Sequence, residues 1–335
     1  MSFTINDIAK AANVTKAAVS YVINNKPGVS DETRERILKI IEENGFRPNV
    51  IARGLAGKTT GIIGLVLPEI SDLYFSRIVQ GIEDIANKYD YTLNLSSTHG
   101  NPQKEKMLFD FYTSGHVEGL VLVCISLSAE YISFLKQKKV PFVCIDCFVA
   151  DKSVYNVYVD NEEAGYNAGD YLIKLGHKKL AFIHGLYNSF ESKSRFKGFC
   201  RALHEHNILL PKKWVGQGDF TKTGGYLVTL ELLKLADKPT AIFAANDQMA
   251  MGAIAAVTES GFKVPEDISI VGFDDIEAAS VVQTPLTTIR QPIEEMGKNA
   301  TEILFRLMNG ENVLENVVLH QTHLVERSSC ARITG

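Results

Sequence analysis

The sequence predicts a small all-α N-terminal domain followed by an α/β core of two lobes, each built on a doubly wound parallel sheet. Residues 1–46 hold three short amphipathic patterns, each preceded by a helix-capping residue. After Gly61, runs of Val, Ile and Leu alternate with amphipathic stretches, as in parallel sheets covered on both faces. Roughly 270 residues are too many for one compact sheet core, so two lobes are expected.

Charge is distributed unevenly along the 335 residues. The composition is that of an ordinary globular protein, with 45% hydrophobic and 22% charged residues and a net charge of −4. Residues 1–60 carry nine Lys or Arg against six Asp or Glu, whereas the remainder carries 26 against 33. A basic N-terminal domain on an acidic body is typical of a protein that touches nucleic acid through its first segment.

The sequence gives no sign of export or of a membrane partner. The first residues lack the basic stretch and apolar run of a signal peptide. No stretch approaches the roughly 18 to 20 apolar residues that a membrane helix needs. We therefore expect a soluble, cytoplasmic protein.

Metal, redox and hydrolytic chemistry are not indicated. The five cysteines are odd in number and scattered, which argues against a disulfide framework. Cys144 and Cys147 are three apart in a predicted strand, so their side chains are expected on opposite faces. His204 and His206 are two apart on a predicted helix and should be solvated. With no nucleophile–base constellation present, we expect neither an enzyme nor a bound cofactor or metal.

The first 46 residues read as a helix-turn-helix followed by a third helix. Thr4 caps the first helix, with Asp7 completing a capping-box pair. Thr15 caps a second helix, which runs to about Asn25, and Ser30 caps a third, which stops at Gly45. The expected apolar face of the third helix consists of Ile37, Leu38, Ile40 and Ile41.

The second helix has one apolar and one polar arc. Val19, Val22 and Ile23 fall on the arc that must face the other helices. The opposite arc is free to enter a DNA major groove, unless it is simply a solvated helix face. That arc consists of Lys16, Ala17, Ser20, Tyr21 and Asn24.

Residues 47–60 predict a short hinge helix, capped by Asn49 and ending near Ala56. A helix this short is marginal in isolation. Leu55 would be exposed unless a partner helix and a DNA minor groove covered it, with Leu55 as an apolar wedge between base steps.

The body contains a series of buried strand candidates separated by helices. The first helix runs from Tyr74 to Lys88. The strand candidates are Ile62–Leu67, Tyr91–Leu95, Gly119–Val123, Phe142–Ile145, Val157–Val159, Leu180–Ile183, Thr240–Ala244 and Ile268–Val271.

Several consecutive motifs closely resemble the lactose/galactose repressor family. The headpiece and hinge motifs are Thr4–Thr15, Ala18–Asn24, Arg47–Asn49 and Ala52–Gly57. Nearly the whole body resembles the family's type-1 periplasmic-binding-protein-like core. Its motifs are Val140–Asp146, Gly176–Ala181, Pro239–Gly252, Val264–Asp275, Pro285–Pro292 and Leu324–Ser329.

The resemblance implies domain limits and a set of DNA contacts. The headpiece spans residues 1–46, the hinge helix and linker 47–60, one lobe 61–160 plus 290–319, and the other 161–289 plus 320–330. The chain would cross between lobes near 160, 289 and 320. The implied DNA-binding residues are Thr4, Thr15, Lys16, Ala17, Ser20, Tyr21, Asn24, Asn49, Ala52, Arg53 and Leu55. Many members carry arginine where Tyr21 stands; arginine reads guanine bidentately, so the operator half-site is expected to differ.

Effector-binding residues are sought where ligands bind open α/β sheets, outside the carboxyl ends of the strands. Asp146, Asn246 and Asp274 end predicted strands, and Arg195 opens a predicted helix. An aspartate after a strand often caps the next helix instead, a task for which Asp247 and Asp275 are the better candidates. The full predicted set is Tyr74, Phe75, Asp146, Arg195, Phe220, Asn246 and Asp274.

The resemblance implies a transcription repressor that binds a pseudo-palindromic operator as a homodimer, its affinity set by a small effector. Asp146 and Asn246 match sugar-contacting positions, whereas Tyr74, Phe75 and Phe220 resemble the purine-responsive branch. A sugar or sugar-like effector is expected; a purine, a nucleoside or a phosphocarrier protein is the alternative. The absence of a leucine-heptad tail favours a dimer over a tetramer. A transport-associated binding protein is disfavoured by residues 1–60, and an enzyme by the missing catalytic set.

Overall fold

The computed structural model describes residues 3–23, 26–46, 60–124, 128–147, 149, 151 and 153–333. The chain divides into two compact units, Met1–Thr60 and Gly61–Gly335. In the first unit lie α1 (Ile5–Ala11), α2 (Lys16–Ile23) and α3 (Asp31–Glu43).

The three helices of the first unit pack around one small core. Its buried members are Ile8, Ala9, Ala12, Val19, Val22 and Ile37. Thr4 caps α1 and Asp7 returns the bond, so the capping box is confirmed. Gly45, with φ of 56°, ends α3 as predicted.

Two details of α3 differ from the prediction. Ser30 stands at the N-cap position, as predicted, but its side chain makes no hydrogen bond to the helix backbone, and its hydroxyl donates instead to Thr33 Oγ1 at 2.9 Å. Leu38 is 47% exposed and does not belong to the apolar face. One position from Ile37 on a helix is a turn of 100°, which carries Leu38 away from the core.

The predicted hinge falls outside the described residues. The hinge residues outside the described part of the chain are Asn49, Ala52, Arg53 and Leu55. Asn24, at the end of the predicted second helix, also lies outside it.

The second unit contains two six-stranded sheets that define two lobes. Lobe 1 is built on sheet 1, with order β11-β5-β4-β3-β1-β2, and lobe 2 on sheet 2, with order β12-β10-β9-β8-β6-β7. Sheet 1 comprises β1 (Ile62–Leu67), β2 (Thr92–Ser97), β3 (Gly119–Val123), β4 (Phe142–Ile145), β5 (Tyr155–Val159) and β11 (Val317–His320). Sheet 2 comprises β6 (Leu180–His184), β7 (Val215–Gln217), β8 (Ala241–Ala244), β9 (Ser269–Asp274), β10 (Thr287–Arg290) and β12 (His323–Val325).

The sheets are parallel apart from one edge. Every pairing in sheet 1 is parallel, and in sheet 2 only β12 runs antiparallel, beside β10. Neighbouring residues of β1 point to different cores, Leu65 to one and Val66 to another, so sheet 1 is covered on both faces. The doubly wound α/β class is confirmed. The chain leaves sheet 1 after β5, returns to it after β10 and leaves it again after β11.

Helices cover these sheets and connect their strands. They are α4 (Leu73–Lys88), α5 (Pro102–Phe111), α6 (Ala129–Lys138), α7 (Asn161–Lys174), α8 (Phe190–Glu205), α9 (Lys222–Lys234), α10 (Asp247–Glu259), α11 (Glu277–Val281) and α12 (Ile293–Met308). In the part of the chain that the structure describes, no helix is long and apolar enough to cross a bilayer.

Glycines bring the helices of three pairs into backbone contact. A Cβ on Gly198 of α8 would lie 1.8 Å from the carbonyl oxygen of Glu162 in α7. A Cβ on Gly225 of α9 would lie 2.2 Å from the carbonyl of Met249 in α10, and one on Gly81 of α4 would lie 2.1 Å from that of Glu294 in α12. Any larger residue would force these helices apart.

The prediction that Cys144 and Cys147 lie on opposite faces was wrong. Both side chains are buried, and the Cys147 thiol donates to the carbonyl oxygens of Leu122 and Ile145. The two cysteines lie in the same apolar core, not on opposite faces. The strand ends at Ile145, and Asp146 has a φ of 50°, which turns the chain so that Cys147 folds back beside Cys144.

Candidate functional site

The outward arc of α2 is available to a ligand. Lys16 and Ala17 are exposed, Tyr21 is 44% exposed and Ser20 is half-buried. The hydroxyl of Thr15 accepts from the amide of Ala18 at 3.2 Å, which fixes the start of this helix. A concave surface beside it is lined by Asn6, Ala9, Lys10, Asn13, Val14, Thr15 and Lys16. A helix N-terminus with an exposed basic residue has the form of a recognition helix for a DNA groove.

The predicted effector residues lie where the two lobes meet, at the carboxyl ends of the strands. Three strand ends hold non-glycine residues with positive φ: Cys124 after β3 (48°), Asp146 after β4 (50°) and Asp274 in β9 (113°). Backbone in this region is costly and tends to persist at functional sites. These residues, with those described next, form what we call the cleft.

Tyr74 and Asp146 form the lobe 1 side of the cleft. Asp72 caps α4 by accepting from the amide of Tyr74 at 2.9 Å, which places that side chain at the helix start. The Tyr74 hydroxyl donates to Asp146 Oδ2, while Asp146 Oδ1 is buried without a hydrogen-bond partner. Phe75 packs edge-on against Tyr74, with ring centroids 5.2 Å apart.

Burial dominates the ionisation of the lobe 1 carboxyl. Desolvation raises the pKa of Asp146 to about 7, and the negative charge of Glu191 adds to the effect. The Tyr74 hydrogen bond and the Arg195 charge act in the opposite direction. The Asp146 carboxyl is therefore partly protonated near neutral pH.

Arg195 is held firmly on the lobe 2 side. Its Nε donates to Asn161 Oδ1 at 2.7 Å and its Nη1 to the carbonyl of Ala245 at 2.5 Å. Nη1 lies 3.9 Å from Asp274 Oδ1, with both side chains buried. The prediction that Arg195 is the first residue of its helix was wrong. Helix α8 begins at Phe190, because Ser189 provides the cap by accepting from the amide of Ser192.

Asp274, on the lobe 2 side of the cleft, is bonded by Gln291, a residue that the sequence analysis missed. Gln291 Nε2 donates to Asp274 Oδ1 at 2.7 Å, and Gln291 Oε1 is buried without a partner. Burial chiefly raises the pKa of Asp274, although Arg195 lowers it. Gln291 directly follows β10, so the strand-end rule would have found it had that short strand been predicted.

Asn246 has a structural task that the sequence analysis assigned to Asp247. Asn246 Oδ1 accepts from the amide of Met249 at 3.0 Å and so caps α10. Its Nδ2 donates to the carbonyl of Phe220 at 3.0 Å, which holds Phe220 at a φ of 69° with its ring over Gly185. Asn246 thus shapes the cleft with both ends of its amide.

The two neighbouring aspartates are also engaged within lobe 2, but not as helix caps. Asp247 accepts from the amide of Ile276 at 2.9 Å and from the Thr288 hydroxyl at 2.5 Å. Asp275 pairs with Arg290 Nε at 2.5 Å and with Arg327 Nη2 at 2.6 Å. These bonds hold the residues just after β9 against α10, β10 and Arg327.

Charges from the two lobes act on one another in the cleft. The pKa of Tyr74 is raised first by burial and then by the charges of Asp146, Cys124 and Asp274. Among the described ranges, no group of three His, Cys, Asp or Glu side chains could hold a metal ion. The described cleft is a polar, buried cluster suited to hydrogen-bonding a small organic molecule.

A helix-turn-helix unit joined to a two-lobed core with such a cleft defines a DNA-binding regulator with a ligand-binding core. The sequence model described as "Bacterial regulatory proteins, lacI family" matches residues 4–49, and that of the periplasmic binding protein-like domain matches residues 169–330. Catabolite control protein A of Priestia megaterium is 36% identical over 319 residues, which cover 95% of this chain and 96% of the relative. The chain belongs to the LacI family and is a transcriptional regulator of that family.

Solved structures extend the likeness to the fold of the whole chain. The Lac repressor dimer bound to operator and the anti-inducer ONPF has a TM-score of 0.85 at 28% identity, covering 99% of this chain and 100% of that one. The transcriptional regulator CelR in complex with cellobiose has a TM-score of 0.76 at 29% identity, covering 97% and 99%.

Proposed function

We propose that this chain is a repressor whose affinity for a pseudo-palindromic operator is set by a sugar or sugar-like effector bound between the lobes. The observation that carries the proposal is the cleft itself: two buried acceptors have no partner, Asp146 Oδ1 of lobe 1 and Gln291 Oε1, whose amide bonds Asp274 of lobe 2. Buried polar atoms without partners are rare in proteins and call for a ligand or ordered water.

The chemistry of the cleft suits a polyhydroxylated ligand. Carboxylates such as Asp146 and Asp274 and the guanidinium of Arg195 can bond adjacent hydroxyl groups in pairs. The aromatic faces of Phe75 and Phe220 can pack against the C–H side of a sugar ring. The CelR–cellobiose complex supports the same ligand class.

The effector would act by linkage between two sites. Because it contacts both lobes, it favours one angle between them, and in a homodimer that angle sets the spacing of the two operator-binding segments. Coupling is reciprocal, so operator and effector change each other's affinity by the same factor, typically about 1–3 kcal/mol. Leu55 would enter the minor groove, and Lys16, Ser20 and Tyr21 the major groove.

The proposal also includes the domain limits, the cellular location and the oligomeric state of the protein. We place the headpiece at 1–46, the hinge at 47–60, lobe 1 at 61–160 plus 290–319, and lobe 2 at 161–289 plus 320–330. The sheet to which each strand belongs supports these limits to within one residue, since Arg290 still lies in sheet 2 and His320 in sheet 1. The homodimeric Lac repressor and the regulatory relatives support a cytoplasmic homodimer that is not an enzyme.

A purine or nucleoside effector is the second candidate. Tyr74, Phe75 and Phe220 surround the polar groups with aromatic rings, on which a base could stack. The carboxyl and amide groups can bond a base edge as well as a sugar.

A thermal-shift screen of the full-length protein tests the proposal. The panel contains sugars, sugar phosphates, nucleosides and purines, and the matched variant is Asp146→Asn, which keeps shape and removes charge. Asn246→Ala is a poorer choice because it also removes the α10 cap. A ligand at 100 times its Kd should stabilise the wild type by about 2.7 kcal/mol.

Asp237→Asn is the control, because it alters an exposed carboxylate paired with Lys179. A sugar that stabilises the wild type and this control, but not Asp146→Asn, supports the proposal. Stabilisation by purines alone would show that the effector is a purine and not a sugar. If no ligand that stabilises the protein changes its affinity for operator DNA, the linkage is wrong.

A further inference from the structure

The chain crosses between the lobes three times, and the three crossovers lie side by side. The first follows β5, the second follows β10 and the third joins β11 to β12. Val159, the last residue of β5, pairs with His320, the last of β11. Arg290, the last of β10, pairs with His323, the first of β12. The crossovers therefore form one continuous layer, which must absorb any turn of one lobe against the other.

Asn161 joins the first crossover to the cleft. Its side chain is buried, and both ends of its amide are engaged. Nδ2 donates to the carbonyl oxygen of Val159 at 3.3 Å, and Oδ1 accepts from Arg195 Nε at 2.7 Å. One side chain thus bonds both the last residue of a sheet 1 strand and the buried arginine of lobe 2.

Gln291 joins the second crossover to the cleft. It follows β10 directly, and Ile293, two residues further along, is fully buried in the core of lobe 1. Its Nε2 donates to Asp274 Oδ1 at 2.7 Å, and its backbone amide donates to the carbonyl oxygen of Asp274 at 3.3 Å. The residue through which the chain enters lobe 1 is therefore bonded twice to the aspartate of lobe 2.

Arg195 and Asp274 lie between these two amides. Arg195 Nη1 is 3.9 Å from Asp274 Oδ1. The four side chains form what we call the row, which runs from the first crossover to the second in the order Asn161, Arg195, Asp274, Gln291. Hydrogen bonds weaken steeply as they lengthen or bend, so the row persists only over a small range of angles between the lobes. A ligand that moves Arg195 or Asp274 must break a bond in the row or turn a crossover.

We propose that Asn161 and Gln291 are positioning residues, which fix the angle between the lobes to the positions of Arg195 and Asp274. This rests on the proposed function, in which Arg195 and Asp274 contact the effector, and deepens it by naming the route from the effector to the crossovers. An amide suits the task because it donates at one end and accepts at the other. Asn161 can therefore bond a carbonyl oxygen and a guanidinium at the same time.

Distances between the lobes of the full-length protein test the inference without any effector. Nitroxide labels are placed at Gln137 of lobe 1 and Glu231 of lobe 2, both of which are exposed. A ketone-bearing amino acid carries each label, which leaves the native cysteines unlabelled. Labelled chains are diluted into an excess of unlabelled chains, so that the distances measured by pulsed dipolar spectroscopy lie within one subunit. Thermal denaturation verifies that each variant is folded.

Three variants cut the row at different bonds. Asn161→Asp keeps the acceptor for Arg195 and loses only the donor to Val159, whereas Asn161→Ala loses both. Gln291→Met keeps the length of the side chain and loses the donor to Asp274. Each variant should shift the mean distance between the labels by about 2 Å or more, or broaden its distribution by as much.

Thr229→Val and Thr301→Val are the matched controls. Each removes a fully buried hydrogen bond inside a single lobe. Thr229 donates to the carbonyl oxygen of Gly225 in α9 of lobe 2, and Thr301 donates to that of Gly297 in α12 of lobe 1. Both variants should lose stability and keep the label distances of the wild type.

Operator affinity separates the inference from the function on which it rests. It is measured by fluorescence anisotropy on DNA selected from a random library. If the distances change and operator affinity changes with them by about fivefold or more, both are supported. Changed distances with constant operator affinity support the inference and contradict the linkage between the lobes and the operator. Unchanged distances in the three variants, or equal changes in the threonine controls, overturn the inference.

Discussion

The guanidinium carbon of Arg195 lies 3.5 Å from the centroid of the Phe273 ring. Arg195 comes from α8 and Phe273 from β9, one residue before Asp274. The stacked pair joins a helix to the end of the neighbouring strand and leaves the guanidinium little freedom. The cleft is thus rigid on its lobe 2 side before any ligand arrives.

Arg195→Lys should weaken effector binding at least about tenfold, because lysine cannot keep the forked bonds to Asn161 and Ala245 or the stack on Phe273. We expect it also to lower the free energy of unfolding by about 1–3 kcal/mol, since buried acceptors lose their donors. Calorimetry and urea denaturation measure the two effects. Arg201→Lys, at an exposed ion pair with Glu163, is the control and should change neither by much.

Effector affinity should rise with pH up to about 7 and then level off. The pKa of Asp146 is raised to about 7, so below that pH its carboxyl is protonated and cannot accept through both oxygens. A ligand that donates to the carboxylate must displace this proton, which costs about tenfold in affinity for each pH unit below the pKa. Tyr74 bonds the Asp146 carboxyl, the charges of Glu191 and Arg195 act on it, and its own charge acts on Cys124.

Calorimetry in buffers of different ionisation enthalpy should detect the released proton. In Asp146→Asn the pH dependence should flatten. A wild-type affinity that is constant between about pH 5.5 and pH 7 would show that the ligand does not bond the ionised carboxyl.

Gly198→Ala should lower the free energy of unfolding of the second unit by about 1–3 kcal/mol or more. The added Cβ would lie 1.8 Å from the Glu162 carbonyl oxygen and 2.7 Å from the Tyr166 amide, so α7 and α8 must separate. Because α8 carries Arg195, effector binding should weaken with it. Thermal denaturation measures the first effect. Lys197→Ala loses only an exposed ion pair with Glu162 and should stay within about 1 kcal/mol of the wild type.

Tyr21→Ala should reduce operator binding without changing effector binding, since Tyr21 is 44% exposed on the outward arc of α2. Tyr21→Arg should shift the preferred half-site towards guanine, because a bidentate arginine–guanine contact is worth about 1–3 kcal/mol of discrimination. Selection from a random DNA library, followed by fluorescence anisotropy, reads both. Leu38→Ala, an exposed change on α3, is the control. Wild-type operator preference in Tyr21→Arg would remove Tyr21 from the recognition surface.

The sequence by itself determined the elements whose signal is local. The α1 capping box lies within four residues, and the long apolar runs of β1 and β3 follow from burial on both faces. The strand-end positions of Asp146 and Asp274 followed from the similar apolar runs of β4 and β9. These signals need no knowledge of which elements are neighbours.

Only the tertiary structure decided what each polar side chain bonds. The strands β7, β10, β11 and β12 have three or four residues each and, unlike the equally short apolar strands β4 and β8, include polar residues, so no apolar run marked them and Gln291 was missed. Asn246 proved to be the α10 cap, and Cys147 folds back onto the core of Cys144. The order of strands in a sheet sets which strand ends adjoin, and that order depends on contacts between residues far apart in the chain.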